Sequence, residues 1–444
     1  MSCVERVERQ LEACDRWNPE LKALITVGDR AALLDQAYAA DRAWNDGRWS
    51  GLLAGTTIVL KDNLDTAGLA TTAGAAFLRD RVPAHDATVV ARLRAAGALL
   101  LGKANMTELA FGAHSRSAVG GQCRNPWDRA RIPGGSSGGS AAALAAGFCD
   151  VALGTDTGGS IRTPAAFNGV CGLRPTQGLV SNHGTWPVCA AHDTTGPMAR
   201  RVEDLARLFT VIAGADPADG DTAGAQPSDV LTGLAEGIAG LRIGVPSNHY
   251  FDGCSDDIAE RVRAALAVLE QAGAKLVPLT VPDVAAAPEM LTRLIISEVC
   301  RRNRDRLERE PDSISPEIRE RMSKGFGYSA LDLVEAVEFR RRWRNGLGAL
   351  YADIDLLAAP AAPVAPPLID DMKSLFETTK ALAGNTFPSA LGGQPSLSVP
   401  CGFDRAGLPV GLLLDAPPRQ EARLLRAGYA LQQRTDWHRQ APAL

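Results

Sequence analysis

Apolar residues in this chain fall into short blocks whose spacing alternates between the helical and the strand period. Val4, Val7 and Leu11 recur at helical spacing, so the first 50 residues read as helical. The run Leu53-Ala54-Gly55-Thr56-Thr57-Ile58-Val59-Leu60 ends in apolar β-branched residues and reads as a buried strand, with Lys61 directly after it. Asp86 to Ala96 reads as a helix capped by Asp86, leading through Gly97 into a strand at Ala98-Leu99-Leu100-Leu101. The alanine run from Ser140 to Ala146 has strong helix propensity and stops at Gly147, a natural residue just past a helix end. Short apolar runs at Val151-Ala152-Leu153-Gly154 and Leu241-Arg242-Ile243-Gly244-Val245 predict further strands. Strands alternating with helices predict a mixed α/β sheet covered on both faces. Gly214 to Pro227, rich in Gly, Ala, Asp and Pro, reads as an exposed loop that could pass for a domain boundary.

Two glycine-flanked serines stand on either side of the alanine helix and the strand that follows it. Gly134-Gly135-Ser136-Ser137-Gly138-Gly139-Ser140 comes first, and Asp156-Thr157-Gly158-Gly159-Ser160-Ile161-Arg162 places Ser160 24 positions after Ser136. Glycine permits positive φ and close approach of the backbone, and leaves consecutive N–H groups free to converge on a developing oxyanion. A flexible linker would not be bounded by apolar periodic segments this tight. Gly134 to Gly138 fits the G-x-S-x-G of a nucleophile elbow, but that motif follows a strand, and the preceding Asn125 to Pro133 is polar and holds two prolines. No Gly-Lys-Ser/Thr closes the glycine run, so it is not a P-loop. Six histidines (His85, His114, His183, His192, His249 and His438) fall in no triad motif. The better base is Lys61: lysine is almost never buried, and burial favours its neutral form and makes it basic at neutral pH.

Lys61, Ser136 and Ser160, with 75 positions from the lysine to the first serine, resemble the Ser–cisSer–Lys triad of the amidase signature family. Arg131-Ile132-Pro133, Gly159-Ser160-Ile161-Arg162-Thr163-Pro164-Ala165, Gly172-Leu173-Arg174-Pro175-Thr176 and Asp193-Thr194-Thr195-Gly196-Pro197-Met198-Ala199-Arg200 resemble further segments of that family, with weaker echoes at Pro395 to Pro400 and Gly407 to Gly411. The resemblance implies one amidase signature domain over residues 1–444, with core motifs at about 50–205, built on a large, mixed, mostly parallel twisted sheet that resumes at Leu241. It also implies a mechanism. Neutral Lys61 takes the proton of Ser136, held after a cis peptide bond, and Ser136 takes that of Ser160 as its Oγ attacks the amide carbonyl. The N–H groups of Thr157, Gly158, Gly159 and Ser160 are expected to hold the oxyanion. Asp156, Arg162 and Ser137 are expected to brace these loops, while His114 and Trp186 should border the substrate. The acyl-enzyme on Ser160 then hydrolyses to a carboxylic acid and ammonia or an amine.

Composition narrows the class. With 45% hydrophobic and 22% charged residues the chain is ordinary for a globular protein, and a net charge of −4 gives no reason to expect nucleic acid or an anionic membrane as partner. Nine scattered cysteines without a C-x-x-C pair read as reduced cytoplasmic thiols, not as a zinc site or disulfide framework. The charged start of the chain lacks the apolar core of a signal peptide, and no apolar run approaches the roughly 20 residues that span a bilayer. No cofactor or metal is called for. Residues 285–350 carry Arg301, Arg302, Arg304, Arg306 and Arg309, then Arg340, Arg341, Arg342 and Arg344, interleaved with acids as in a solvated helix face. One arginine of this region could instead meet a substrate carboxylate. With only 5% aromatic residues, the expected substrate is a small carboxamide or urea-type amide, and the expected partners are that small molecule and a second copy of the chain. Two alternatives stand beside a free-standing amidohydrolase. One is the glutaminase (A) subunit of a tRNA-dependent amidotransferase, from whose usual segment Phe111-Gly112-Ala113-His114-Ser115-Arg116 departs. The other is a non-catalytic scaffold, which retention of Lys61, Ser136 and Ser160 argues against.

Overall fold

A computed structural model describes residues 1–49, 51–226 and 229–444. Ser50 and Pro227, which closed two of the expected segments, lie outside the described residues. Alternation along the central strands organises the core. In the strand Thr57–Lys61, Ile58 and Leu60 enter one hydrophobic layer and Val59 the other; in Val151–Asp156, Val151 and Leu153 are set against Ala152 in the same way. Strands buried on both faces read as near-continuous apolar runs, which is why these segments were visible in the sequence.

Eleven strands form one sheet. In chain order they are β1 (Leu24–Val27), β2 (Thr57–Lys61), β3 (Leu99–Ala104), β4 (Val151–Asp156), β5 (Cys171–Arg174), β6 (Thr194–Ala199), β7 (Arg242–Pro246), β8 (Lys275–Leu279), β9 (Leu356–Pro360), β10 (Ser396–Phe403) and β11 (Pro409–Asp415). Across the sheet the order is β1-β3-β2-β4-β6-β5-β10-β11-β9-β7-β8. The sheet is mixed: parallel pairing runs through β3-β2-β4 and β9-β7-β8, and antiparallel pairing joins these two wings and adds β1 at the edge. The helices Thr88–Ala95, Val202–Ile212, Asp256–Gln271 and Glu421–Gln432 supply apolar side chains to one face, and Gly138–Ala145 to the other.

Two local expectations change, and a third segment keeps its expected place outside the sheet. The first 50 residues are not all helix, because β1 intervenes between the helices Cys3–Leu21 and Arg30–Asn45 and pairs with β3. Asp86 does not cap its helix: its carboxylate accepts the N–H of Ala67 at 2.8 Å and pairs with Arg94, leaving Ala87 at the cap position. The loop after Gly214 is largely exposed, as expected, and is tied down by Asp216, which accepts from the hydroxyls of Thr88 and Ser181 at 2.6 Å each; the same sheet continues on either side of it. Among the described residues, no helix is long and apolar enough to cross a membrane.

Candidate active site

Lys61 ends β2 and Asp156 ends β4, the parallel strand beside it, so both leave the sheet at the same edge. The mouth at the carboxyl ends of parallel strands is where α/β sheets hold ligands. Ser136 arrives from the loop leading into the helix Gly138–Ala145, after a cis peptide bond at Gly135–Ser136. That helix begins against the sheet because Gly139 has no side chain; a Cβ there would stand 2.2 Å from the carbonyl oxygen of Asn105. Ser137 donates its N–H to the Ser160 carbonyl at 3.1 Å, joining the two serine loops, and its hydroxyl donates to the carbonyl of Thr155 at 3.1 Å.

Lys61 is fully buried, and its Nζ lies 2.6 Å from Ser136 Oγ, 2.7 Å from Thr155 Oγ1 and 3.3 Å from the Thr155 carbonyl. Burial lowers its pKa to about 7, against the weaker opposing pull of Asp156 and Asp193. A neutral amine has two hydrogens, enough for the two Thr155 oxygens, and one lone pair, which then faces the Ser136 hydroxyl.

Asp156 organises the second loop. Burial alone would raise its pKa, but Arg162 and Arg174 hold the carboxyl well below its ordinary value. Arg162 forks onto it with two contacts of 3.0 Å, Arg174 approaches Oδ1 at 3.2 Å, and all three side chains are fully buried. The carboxylate also accepts the N–H groups of Gly159 at 2.8 Å and Ile161 at 3.1 Å. Gly159 is thereby withdrawn from the four expected oxyanion donors; the N–H groups of Thr157, Gly158 and Ser160 have no protein acceptor among the described residues. Gly159 takes φ of +139°, a conformation only glycine adopts readily. Arg174 and Asp193 gave no local sign of a bracing role. Asp193 accepts from the Thr157 hydroxyl at 2.6 Å and from the Val188 N–H at 2.8 Å. Replacing Asp156 with asparagine leaves two buried guanidiniums uncompensated, and should lower the unfolding free energy by about 3–5 kcal/mol in denaturant titrations.

Ser160 opens into a narrow cleft that it shares with Thr157, Gly158, Phe111, Ala383 and Arg321. The two residues expected to border the substrate do not line it. His114 is buried beside the cleft, with Nε2 3.0 Å from Glu317 and Nδ1 accepting the Arg116 N–H, so it anchors the helix Pro316–Ser323 that carries Arg321. Trp186 packs instead against Phe77 and the Arg81 guanidinium. Three of the nine arginines named for residues 285–350 sit in ion pairs one helical turn apart, Arg302–Glu298, Arg304–Glu308 and Arg306–Glu310. Arg340, Arg341 and Arg344 line a different and larger cavity, which contains neither serine.

Arg321 is the exception. It is only 6% exposed, stacks its guanidinium 4.1 Å over the Phe111 ring, and has no hydrogen-bond or ion-pair partner among the described residues. Burial lowers its pKa to about 9. An unpaired buried cation is rare enough that it points to an absent anion.

A serine-and-lysine site of this kind, at the mouth of a mixed α/β sheet, defines an amide hydrolase. The chain belongs to the amidase family, whose model matches residues 5–425, and it acts on C–N bonds. It is 39% identical to the A-type subunit of the glutamyl-tRNA(Gln) amidotransferase of Chloroflexus aurantiacus, over all of this chain and 96% of that one. Among solved structures, a component of a vestigial protein complex linked to the origins of an s-triazine catabolic enzyme superposes with a TM-score of 0.91 at 33% identity, covering 98% of this chain and 95% of its own. The peptide amidase of Stenotrophomonas maltophilia superposes at 0.86 with 34% identity, covering 98% and 94%. These relatives correct the expected partners. A protein named as one subunit of a glutamyl-tRNA amidotransferase works beside other chains, so the expectation that a small-molecule substrate and at most a second copy of this chain are the only partners is overturned.

Proposed function

We propose that this chain is the amide-hydrolysing subunit of a cytoplasmic multi-protein assembly, releasing ammonia from a small amide that carries a carboxylate. The observation that carries the choice of substrate is Arg321, a buried guanidinium without a counter-ion among the described residues, in the cleft that holds Ser160; the subunit reading is supported by the likeness to amidotransferase A-type subunits. A substrate carboxylate supplies the missing anion, fixing one end of the molecule by charge-assisted hydrogen bonds while the other end reaches the serine.

The proposed relay extends the 2.6 Å contact between Lys61 Nζ and Ser136 Oγ by one step, to Ser160. As Ser160 Oγ bonds to the amide carbon, its proton passes to Ser136, whose own proton passes to neutral Lys61. The oxyanion faces the N–H groups of Thr157, Gly158 and Ser160. When the C–N bond breaks, the proton returns through Ser136 to the leaving nitrogen, and water cleaves the acyl ester by the same relay in reverse. Asp156, Arg162, Arg174 and Ser137 hold these groups in place without touching the substrate.

The relay needs Lys61 deprotonated, and its pKa of about 7 sets the pH dependence. Below that value the amine carries a proton and cannot accept another, so kcat/KM should fall about tenfold per pH unit on the acid side and level off above it. A profile flat from about pH 5 to pH 9 would exclude Lys61 as the base. The assembly is tested by native isolation: the chain should migrate with further, different polypeptides, and a chain fully active and alone in its native cells contradicts the subunit reading. Ammonia release from carboxylate-bearing amides, lost in Ser160→Ala, tests the hydrolysis itself.

A further inference from the structure

Among the described residues, the lining of the cleft holds a cation and no anion. Of the residues lining it, Arg321 is the one charged side chain; the rest are apolar, glycine or hydroxyl-bearing. Three neighbouring carboxylates are already occupied: Asp156 by Arg162 and Arg174, Asp193 by the hydroxyl of Thr157 and the N–H groups of Val188 and Cys189, and Glu317 by His114. A fourth, Glu108, accepts the Ser315 N–H through Oε1 at 3.4 Å and keeps Oε2 unpartnered among the described residues, but it does not line the cleft. An α-amino acid amide such as glutamine carries both a carboxylate and an ammonium. The carboxylate would meet Arg321, but the ammonium would lie unpaired in a narrow cleft beside a guanidinium of the same sign. A like charge so placed is repelled, and an unpaired polar group taken from water is penalised again.

We infer that the substrate is a small monoamide of a dicarboxylic acid that carries no amino group, selected over glutamine because the cleft pairs one negative charge and has nothing to pair a positive one. This rests on the reading that Ser160 and Arg321 belong to one substrate site, and it narrows that reading to a chemical class. Hydrolysis then yields a dicarboxylate and ammonia. Ala383 lines the cleft, so an acidic side chain introduced there adds the negative charge that the lining lacks.

Glutaramate and L-glutamine form the matched pair that tests this, since they differ only by the α-amino group. Ammonia release by the protein as isolated should give a kcat/KM for glutaramate about 100-fold above that for glutamine. Calorimetric titration of the Ser160→Ala variant should show the same order of binding. Glutamine equal to or better than glutaramate overturns the exclusion of an ammonium but leaves hydrolysis through Ser160 standing. Absence of both binding and Ser160-dependent turnover for the two compounds overturns the site itself, and the inference with it. Ala383→Asp, checked by its melting transition, should raise glutamine turnover about tenfold and narrow the ratio. An unchanged ratio in a folded Ala383→Asp protein removes the charge argument, and if that variant does not fold, the ratio measured on the unaltered protein decides alone.

Discussion

Replacing Ser160 with alanine should lower kcat by about 10⁴–10⁶-fold while leaving the melting transition where it was. The change removes one oxygen from a partly exposed side chain, and the contact that joins the two serine loops uses the carbonyl of Ser160, not its hydroxyl. Groups that act through one proton relay lose activity together, so Lys61→Met combined with Ser160→Ala should be no slower than Ser160→Ala alone. The check is single-turnover ammonia release on the same carboxylate-bearing amide for both proteins. Ser160→Ala that keeps more than a tenth of the activity assigns the nucleophile elsewhere. A double variant markedly slower than the single one separates Lys61 from the relay and gives it an independent role.

Arg321→Met should raise KM for a carboxylate-bearing amide by about 100-fold with a much smaller change in kcat. That factor corresponds to about 2.7 kcal/mol, within the range of one or two hydrogen bonds to a charged group. The same substitution should leave the free protein equally stable or more so, because it removes an uncompensated buried charge and puts a flexible apolar side chain against Phe111. Only the contact over the aromatic ring is lost. A binding residue and a structural one therefore differ in sign: a purely structural arginine would lower the melting temperature on removal and leave KM alone. Stability gained where affinity is lost is the usual mark of a site built for a ligand. Arg321→Lys keeps the charge without the planar fork and should recover part of the KM loss.

The elements nearest the serines were legible because their signals are local. The alanine run forms the helix Gly138–Ala145 with Gly147 beyond it in a left-handed conformation, as helix propensity and the freedom of glycine at a helix end dictate. Apolar runs buried on both faces became β2 and β4, and a lysine closing such a run could only end up inside. Other local signals were misleading because a distant partner outbid a near one. Asp86 had a helix start within reach, but Arg94 and the N–H of Ala67 took its carboxylate. Leu24–Val27 lies between two helices with too short an apolar run to declare itself, and became a strand only because the edge of β3 was there to pair with.

By itself, the sequence determined the family and placed a lysine at a strand end and two serines on glycine loops close along the chain. These depend on residue type and short spacing, which act before any long-range contact forms. The tertiary structure decided what surrounds them. Nothing local separates Arg321 from Arg319 two positions earlier; the first is buried against Phe111 and the second lies outward against Asp312. His114 and Trp186 lie near the cleft along the chain, yet packing turned one towards Glu317 and the other towards Phe77. Whether a charge faces solvent or a substrate is set by which helix face meets the sheet, and that depends on contacts between segments far apart in the chain.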